Sequence, residues 1–168
     1  MLEKPDIKEE ILISCLQEQF DLQIGEIAFM PLGADQNTAV YRAADQDETR
    51  YFVKLRRGEF NPLNVTIPNH LHAQGMRQVI PVVCTQSGQF WADLGEYKLI
   101  LYPFIEGHHG YHQKMTAEHW AEFGRALKQL HSANQLPEIM ADLRREAFSA
   151  QWGQLVKRHL EDVKSNNY

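Results

Sequence analysis

Apolar residues recur along this chain first at helical and then at alternating spacing. Ile7, Ile11 and Cys15, with Leu12, Leu16 and Phe20, form a helical stripe. Asp6 and Glu9 precede or open it, where carboxylates suit free N–H groups and the positive dipole end, so a helix is expected to run to about Phe20. From Ile24 to Leu32 and from Thr38 to Ala43 the pattern turns β-like. The polar turn Asp45-Gln46-Asp47-Glu48 then separates the second of these segments from Arg50-Tyr51-Phe52-Val53-Lys54-Leu55, and three antiparallel strands in sequence are predicted. Residues 64–74 suit a short helix stopped by Gly75, with Pro68 in its first turn or at a kink. Ile80 to Thr85 reads as another strand, leading into a Ser87-Gly88 turn. Phe90-Trp91-Ala92 and Tyr97 to Ile105 complete a mixed, mainly antiparallel sheet of five or six strands, and the class is α+β.

Beyond Gly107 the composition changes. His108, His109, Gly110, Tyr111 and His112 read as a linker. Thr116 suits the cap of a helix whose Trp120, Phe123, Leu127 and Leu130 share one face, ending near His131. A second helix is expected after Ser149, with Trp152, Leu155, Val156, Leu160 and Val163 as its stripe, before a polar end that frays from Ser165 to Tyr168. No internal repeat or low-complexity segment is present.

A chain of 168 residues buries one core, or one small domain and the start of a second. Its 43% hydrophobic content is that of a folded globule. The formal net charge of −5 argues against nucleic acid and anionic membrane as partners, whereas a nucleotide needs only a local positive site. Cys15 and Cys84 sit in apolar patterns without metal-ligand spacing, so buried reduced thiols and a cytoplasmic setting are expected. No run approaches the ~18 apolar residues of a membrane span, and residues 1–6 lack a signal peptide's apolar core.

Lys54 is the first candidate for chemistry. A charge closing an apolar strand segment needs an anionic partner or an exit to solvent, and a strand ammonium can reach the phosphates of a nucleotide. A lone strand lysine also reads as an edge residue that reaches water; its order after a small-residue turn and before a hinge strand favours phosphate. In that turn Gly33 allows close approach and Asn37 and Thr38 add hydrogen-bonding groups, although an ordinary hairpin turn has the same residues. The hinge is Leu99 to Gly107. There Pro103 can supply a carbonyl and Ile105 an N–H to an adenine edge, and a proline costs nothing where only its acceptor is used. Glu59 is the nearest carboxylate in the following segment that could pair with Lys54. Asp93-Leu94-Gly95 reads as a hairpin turn, the His108-His109-x-x-His112 cluster as a solvated loop that could face a substrate, and Arg144 and Arg145 as a helix flank.

Four segments together resemble the aminoglycoside phosphotransferase and choline kinase family: Leu32-Gly33-Ala34-Asp35-x-Asn37, Tyr51-Phe52-Val53-Lys54-Leu55, Tyr102-Pro103-Phe104-Ile105, and Gly124-Arg125-Ala126-Leu127-Lys128-Gln129-Leu130-His131. The resemblance implies a kinase-like N-lobe over residues 1–107, then a linker and the first helices of an incomplete C-lobe over 108–168. It places ATP or GTP beneath the sheet, with Lys54 on its phosphates, the turn of Gly33, Ala34, Asn37 and Thr38 over them, and Pro103 and Ile105 on the base. In the complete enzyme, with Mg2+, the γ-phosphate would pass to an alcohol of an aminoglycoside-like or other small polar substrate, and antibiotic resistance is the implied role.

Pro62 stands where a relative carries the lysine-pairing Glu. No catalytic Asp, metal-binding Asn or second metal-binding Asp is read before Tyr168, so catalytic residues and metal ligands are expected to be absent and this chain alone inactive. A non-catalytic interaction module that keeps the lobe is the other reading. In the first reading the two apolar helix stripes are expected to pair with each other, with the remaining apolar surface driving homodimerisation or partial aggregation, whereas a clean monomer would favour the module.

Overall fold

Backbone pairing joins the alternating segments into one antiparallel sheet. In the computed structural model, which describes residues 3–32, 35–108, 113–133, 143 and 149–165, the strands are β1 (Ile24–Met30), β2 (Thr38–Asp45), β3 (Arg50–Arg57), β4 (Ala92–Leu94) and β5 (Tyr97–Pro103). Their order is β1-β2-β3-β5-β4, and every pairing is antiparallel. Four helices accompany them among the described residues: α1 (Glu9–Phe20), α2 (Leu63–Ala73), α3 (Ala117–His131) and α4 (Gln151–Ser165). The chain forms two compact units, Met1–Leu136 and Pro137–Tyr168.

α1 covers one face of the sheet. Its Leu12, Cys15, Leu16 and Phe20 pack on Ala39, Tyr41 and Ala43 of β2, Val53 and Leu55 of β3, and Leu99 and Leu101 of β5. These strand positions are all odd, so the period-two rule assigns the even positions to the opposite face. α1 starts at Glu9 rather than near Asp6, because the Ile7 N–H already turns back to the Pro5 carbonyl at 2.8 Å. Cys15 is buried, as expected, and burial, reinforced by the Glu18 charge, pushes its thiol up to about 11. Cys84 is exposed, against the expectation of burial.

The even face carries a smaller cluster of Val65, Val82 and Ile100, with Phe60, Phe90, Trp91 and Tyr102 against it. It accounts for three departures from the predicted elements. Residues 80–85 form no strand: Pro81 has no N–H to give, and the segment makes one backbone bond to the sheet, Val83 N–H to the Leu101 carbonyl at 2.8 Å. Phe90 and Trp91 leave the sheet to pack here, Trp91 edge-on to Phe60 with ring centroids 4.9 Å apart, so the strand begins at Ala92. Asp93 is therefore a strand residue. The turn is Gly95-Glu96 alone, where Gly95 takes φ +60°, the value a two-residue hairpin with glycine first demands.

α2 runs through Pro68 beyond its first turn, and the chain leaves at Gly75 with φ +92°. The Thr116 cap of α3 is present: its hydroxyl accepts the His119 N–H at 3.3 Å, while its own N–H donates to His119 Nδ1 at 3.2 Å. α3 buries no residue, and Trp120, Phe123, Leu127 and Leu130 are exposed on it. In the second unit α4 likewise exposes Trp152, Leu155, Val156, Leu160 and Val163. No helix among the described residues is long and apolar enough to cross a membrane.

Candidate nucleotide site

The site rests on which way each backbone group of β3 and β5 points. The Arg57 N–H donates to the Asn37 carbonyl at 2.8 Å, so odd positions of β3 turn their backbone groups toward β2 and even positions toward β5. Lys54 opposite Ile100 and Phe52 opposite Tyr102 are thus bonded pairs, and the ladder continues one pair beyond β5, where Phe104 N–H donates to the Arg50 carbonyl at 3.1 Å. Alternation then points the Pro103 carbonyl away from β3, and the next N–H in that direction belongs to Ile105. The Leu101 carbonyl, on this outward side, is taken by Val83; the Ile105 N–H has no backbone partner among the described residues. Pro103 pairs opposite Tyr51 at a non-bonded position, so its missing N–H costs no ladder bond. One carbonyl and one N–H, two residues apart on an open edge, match the hydrogen-bonding edge of a purine.

Behind that edge lies a cavity of about 370 Å³ lined by Phe52, Lys54, Ile80, Tyr102, Pro103, Phe104 and Ile105. Apart from Lys54 the walls are apolar or aromatic, the composition of a small-molecule pocket. Phe52 and Tyr102 meet edge-to-face with ring centroids 6.3 Å apart, and burial pushes the Tyr102 phenol up. Roughly 10 Å of strand separates Tyr51, opposite Pro103, from Lys54, a span comparable to an adenosine with its first phosphate.

Lys54 lies mid-strand rather than at a strand end, because Leu55, Arg56 and Arg57 continue the pairing to both neighbours. Every other cation on its face of the sheet has a carboxylate: Arg42 pairs with Glu26 at 3.4 Å, Arg56 with Asp35, Lys98 with Asp93 and Arg50 with Glu106. Lys54 has none among the described residues. α2 contains no acidic residue, and Glu59 does not pair with Lys54: it is exposed and offers its backbone carbonyl to Arg56 Nε at 3.3 Å. An unpaired ammonium at the rim of an apolar cavity is a site for an anion.

In the turn ahead of β2, Asp35 accepts the Asn37 N–H at 2.9 Å and the Thr38 hydroxyl at 3.1 Å. Thr38 stands opposite Arg56, one step along the same face from Lys54. Gly33 and Ala34 lie outside the described residues, as do His109, Gly110, Tyr111, His112, Arg144 and Arg145. Among the described residues no group of three or more His, Cys, Asp and Glu could hold a metal ion.

The structure adds Phe52, Ile80 and Tyr102 to the candidate residues. Counting back by two from Lys54 would have found Phe52, since alternate strand residues share a face. Ile80 had no such signal, because its segment enters the pocket as irregular chain.

An antiparallel lobe with a hinge strand and a central lysine defines a kinase-like fold. It superposes on spectinomycin phosphotransferase in complex with ADP and spectinomycin with a TM-score of 0.82, at 29% identity, over 95% of this chain and 48% of that one. The AMP-bound complex of spectinomycin phosphotransferase gives 0.78 at 27% identity, over 94% and 48%. An aminoglycoside phosphotransferase from Alicyclobacillus acidocaldarius, at 19% identity, a TM-score of 0.61 and 97% and 43% coverage, shares the fold. No family model matches the chain. No curated protein matches it either. The chain is thus similar to aminoglycoside phosphotransferases, spectinomycin phosphotransferase among them, and it spans about half the length of those structures.

Proposed function

We propose that this chain is the nucleotide-binding portion of an ATP-dependent small-molecule O-phosphotransferase. The adenine lies in the cavity against Phe52 and Tyr102, its edge bonded to the Pro103 carbonyl and the Ile105 N–H, and Lys54 meets the α- and β-phosphates. One observation carries the reading: the lysine at the mouth of that cavity is the cation on its sheet face that lacks a carboxylate among the described residues. GTP would use the same phosphate contacts.

In the complete enzyme an alcohol oxygen of an aminoglycoside-like or other small polar substrate attacks the γ-phosphorus. The bond to the β-phosphate oxygen breaks, ADP leaves, and the hydroxyl proton passes to a base. Mg2+ would neutralise the phosphate charge during this transfer. The part assigned to the described residues is to bind and orient the nucleotide.

Calorimetric titration of the chain and of Lys54→Ala with ATP and with adenosine tests this. Weaker ATP binding by the variant, with adenosine binding little changed, supports it. Equal loss of both, or no binding of either by the unaltered chain, would sink it.

A further inference from the structure

Asp35 joins the turn before β2 to the strand that carries Lys54. One carboxylate oxygen accepts the Asn37 N–H at 2.9 Å; the other accepts the Thr38 hydroxyl at 3.1 Å and pairs with the Arg56 guanidinium. Arg56 in turn reaches the Thr38 hydroxyl at 3.4 Å and the Glu59 carbonyl at 3.3 Å. Its side chain is 28% exposed against 51% for Asp35, so the strand end of the pair is the better shielded. The Asn37 N–H and the Thr38 hydroxyl, read from the sequence as phosphate donors, are both already satisfied by this carboxylate.

We infer that Asp35 is a positioning residue for the phosphates: through Arg56 it sets the height of residues 35–38 over Lys54, and it neutralises the one cation next to Lys54 on that strand face. This rests on the nucleotide-binding reading. It differs from a direct contact, since Asp35 repels phosphate and can only act through the groups it holds. The Asn37 N–H, followed by Thr38 and Arg56, holds the Asp35 carboxyl below the usual carboxylate range, so the pair stays ionised at neutral pH. Without the tie, the turn and Arg56 become free to adopt other arrangements, and only the phosphate end of the site feels the change.

Titrations with ATP, inorganic tripolyphosphate and adenosine on four chains test it: the unaltered chain, Asp35→Ala, Asp35→Asn, which keeps an acceptor for the Asn37 N–H without the charge that holds Arg56, and Glu26→Ala. Glu26→Ala breaks a comparable pair on the same face, with Arg42, away from the turn. Asp35→Ala is expected to weaken ATP and tripolyphosphate binding about fivefold, the upper end for a partly exposed pair, while adenosine binding holds. Asp35→Asn should lose nearly as much, and Glu26→Ala should change nothing. Tighter ATP binding by Asp35→Ala, an equal loss for adenosine, or an Asp35→Asn chain that binds ATP like the unaltered one would each overturn the inference while leaving the nucleotide reading intact. An unaltered chain that binds none of the three ligands would overturn both.

Discussion

Phe104 donates its backbone N–H to the carbonyl of Arg50 at 3.1 Å, one pair past the last residue of β5, and the Arg50 guanidinium pairs with Glu106. The sheet ladder thereby reaches into the hinge. The segment that would meet a purine is held on its inner side while its outer side stays open. These two ties differ in kind, and the difference can be measured.

Arg50→Ala removes a pair whose side chains are 54% and 69% exposed, and stability measured by urea unfolding should fall by less than about 1 kcal/mol. Phe104→Pro removes the backbone donor and leaves the Arg50 carbonyl without it, which should cost about 1–3 kcal/mol and abolish adenosine binding. Equal effects of the two variants would mean that the hinge is not held by the ladder.

The core argument gives a second contrast. Leu55 is fully buried between α1 and the sheet, so Leu55→Ala should destabilise by about 2–5 kcal/mol, with both lost transfer and an unfilled cavity contributing. Phe123 is 52% exposed on α3, and Phe123→Ala should leave the unfolding midpoint nearly unchanged at concentrations low enough for the chain to be monomeric.

Association is the corresponding expectation for that face. Trp120, Phe123, Leu127 and Leu130 on α3, and Trp152, Leu155, Val156, Leu160 and Val163 on α4, are exposed, and each large apolar side chain left in water forgoes roughly 1.5–3 kcal/mol. Sedimentation should therefore show homodimers at micromolar concentration, and Phe123→Glu should shift the population toward monomer. A monomer at every concentration, binding no environment-sensitive dye, contradicts this.

The two cysteines should behave oppositely. Cys84 is exposed and should react with a thiol reagent in the folded chain at pH 8, whereas Cys15 should react only on unfolding. The Cys15 thiol titrates at about 11 when folded against 9.0 as its ordinary value, so between these values the unfolded chain releases the proton first. Stability contributed by this group is present below pH 9 and is lost as pH rises from about 9 to 11. Urea midpoints across that window should fall more steeply in the unaltered chain than in Cys15→Ala, where only the raised phenols of Tyr41, Tyr51 and Tyr102 remain to contribute.

Much of this arrangement is legible along the chain because it depends on local periodicity. Alternation from Arg50 to Leu55 puts Phe52 and Lys54 on one face and Val53 and Leu55 on the other, whatever the strands lie beside. The spacing of Trp120, Phe123, Leu127 and Leu130 likewise makes one helical stripe, and Thr116 caps it through neighbours three residues away. The order of turn, lysine strand and hinge is a property of the chain itself.

Strand order and register settled the rest. Which cation lacks a partner depends on carboxylates far away in sequence, Glu26 for Arg42, Asp35 for Arg56 and Glu106 for Arg50, and no local pattern encodes those meetings. Glu59, five residues from Lys54, was the natural local partner, yet the chain turns it outward. The segment 80–85 has the apolar, β-branched composition of a strand, but β4 reaches only to the Leu99 position of β5, and Pro81 and the aromatic cluster around Val82 leave room for a single bond at Leu101. Composition sets which conformation a segment favours; the free edge available to it sets how many hydrogen bonds it can make.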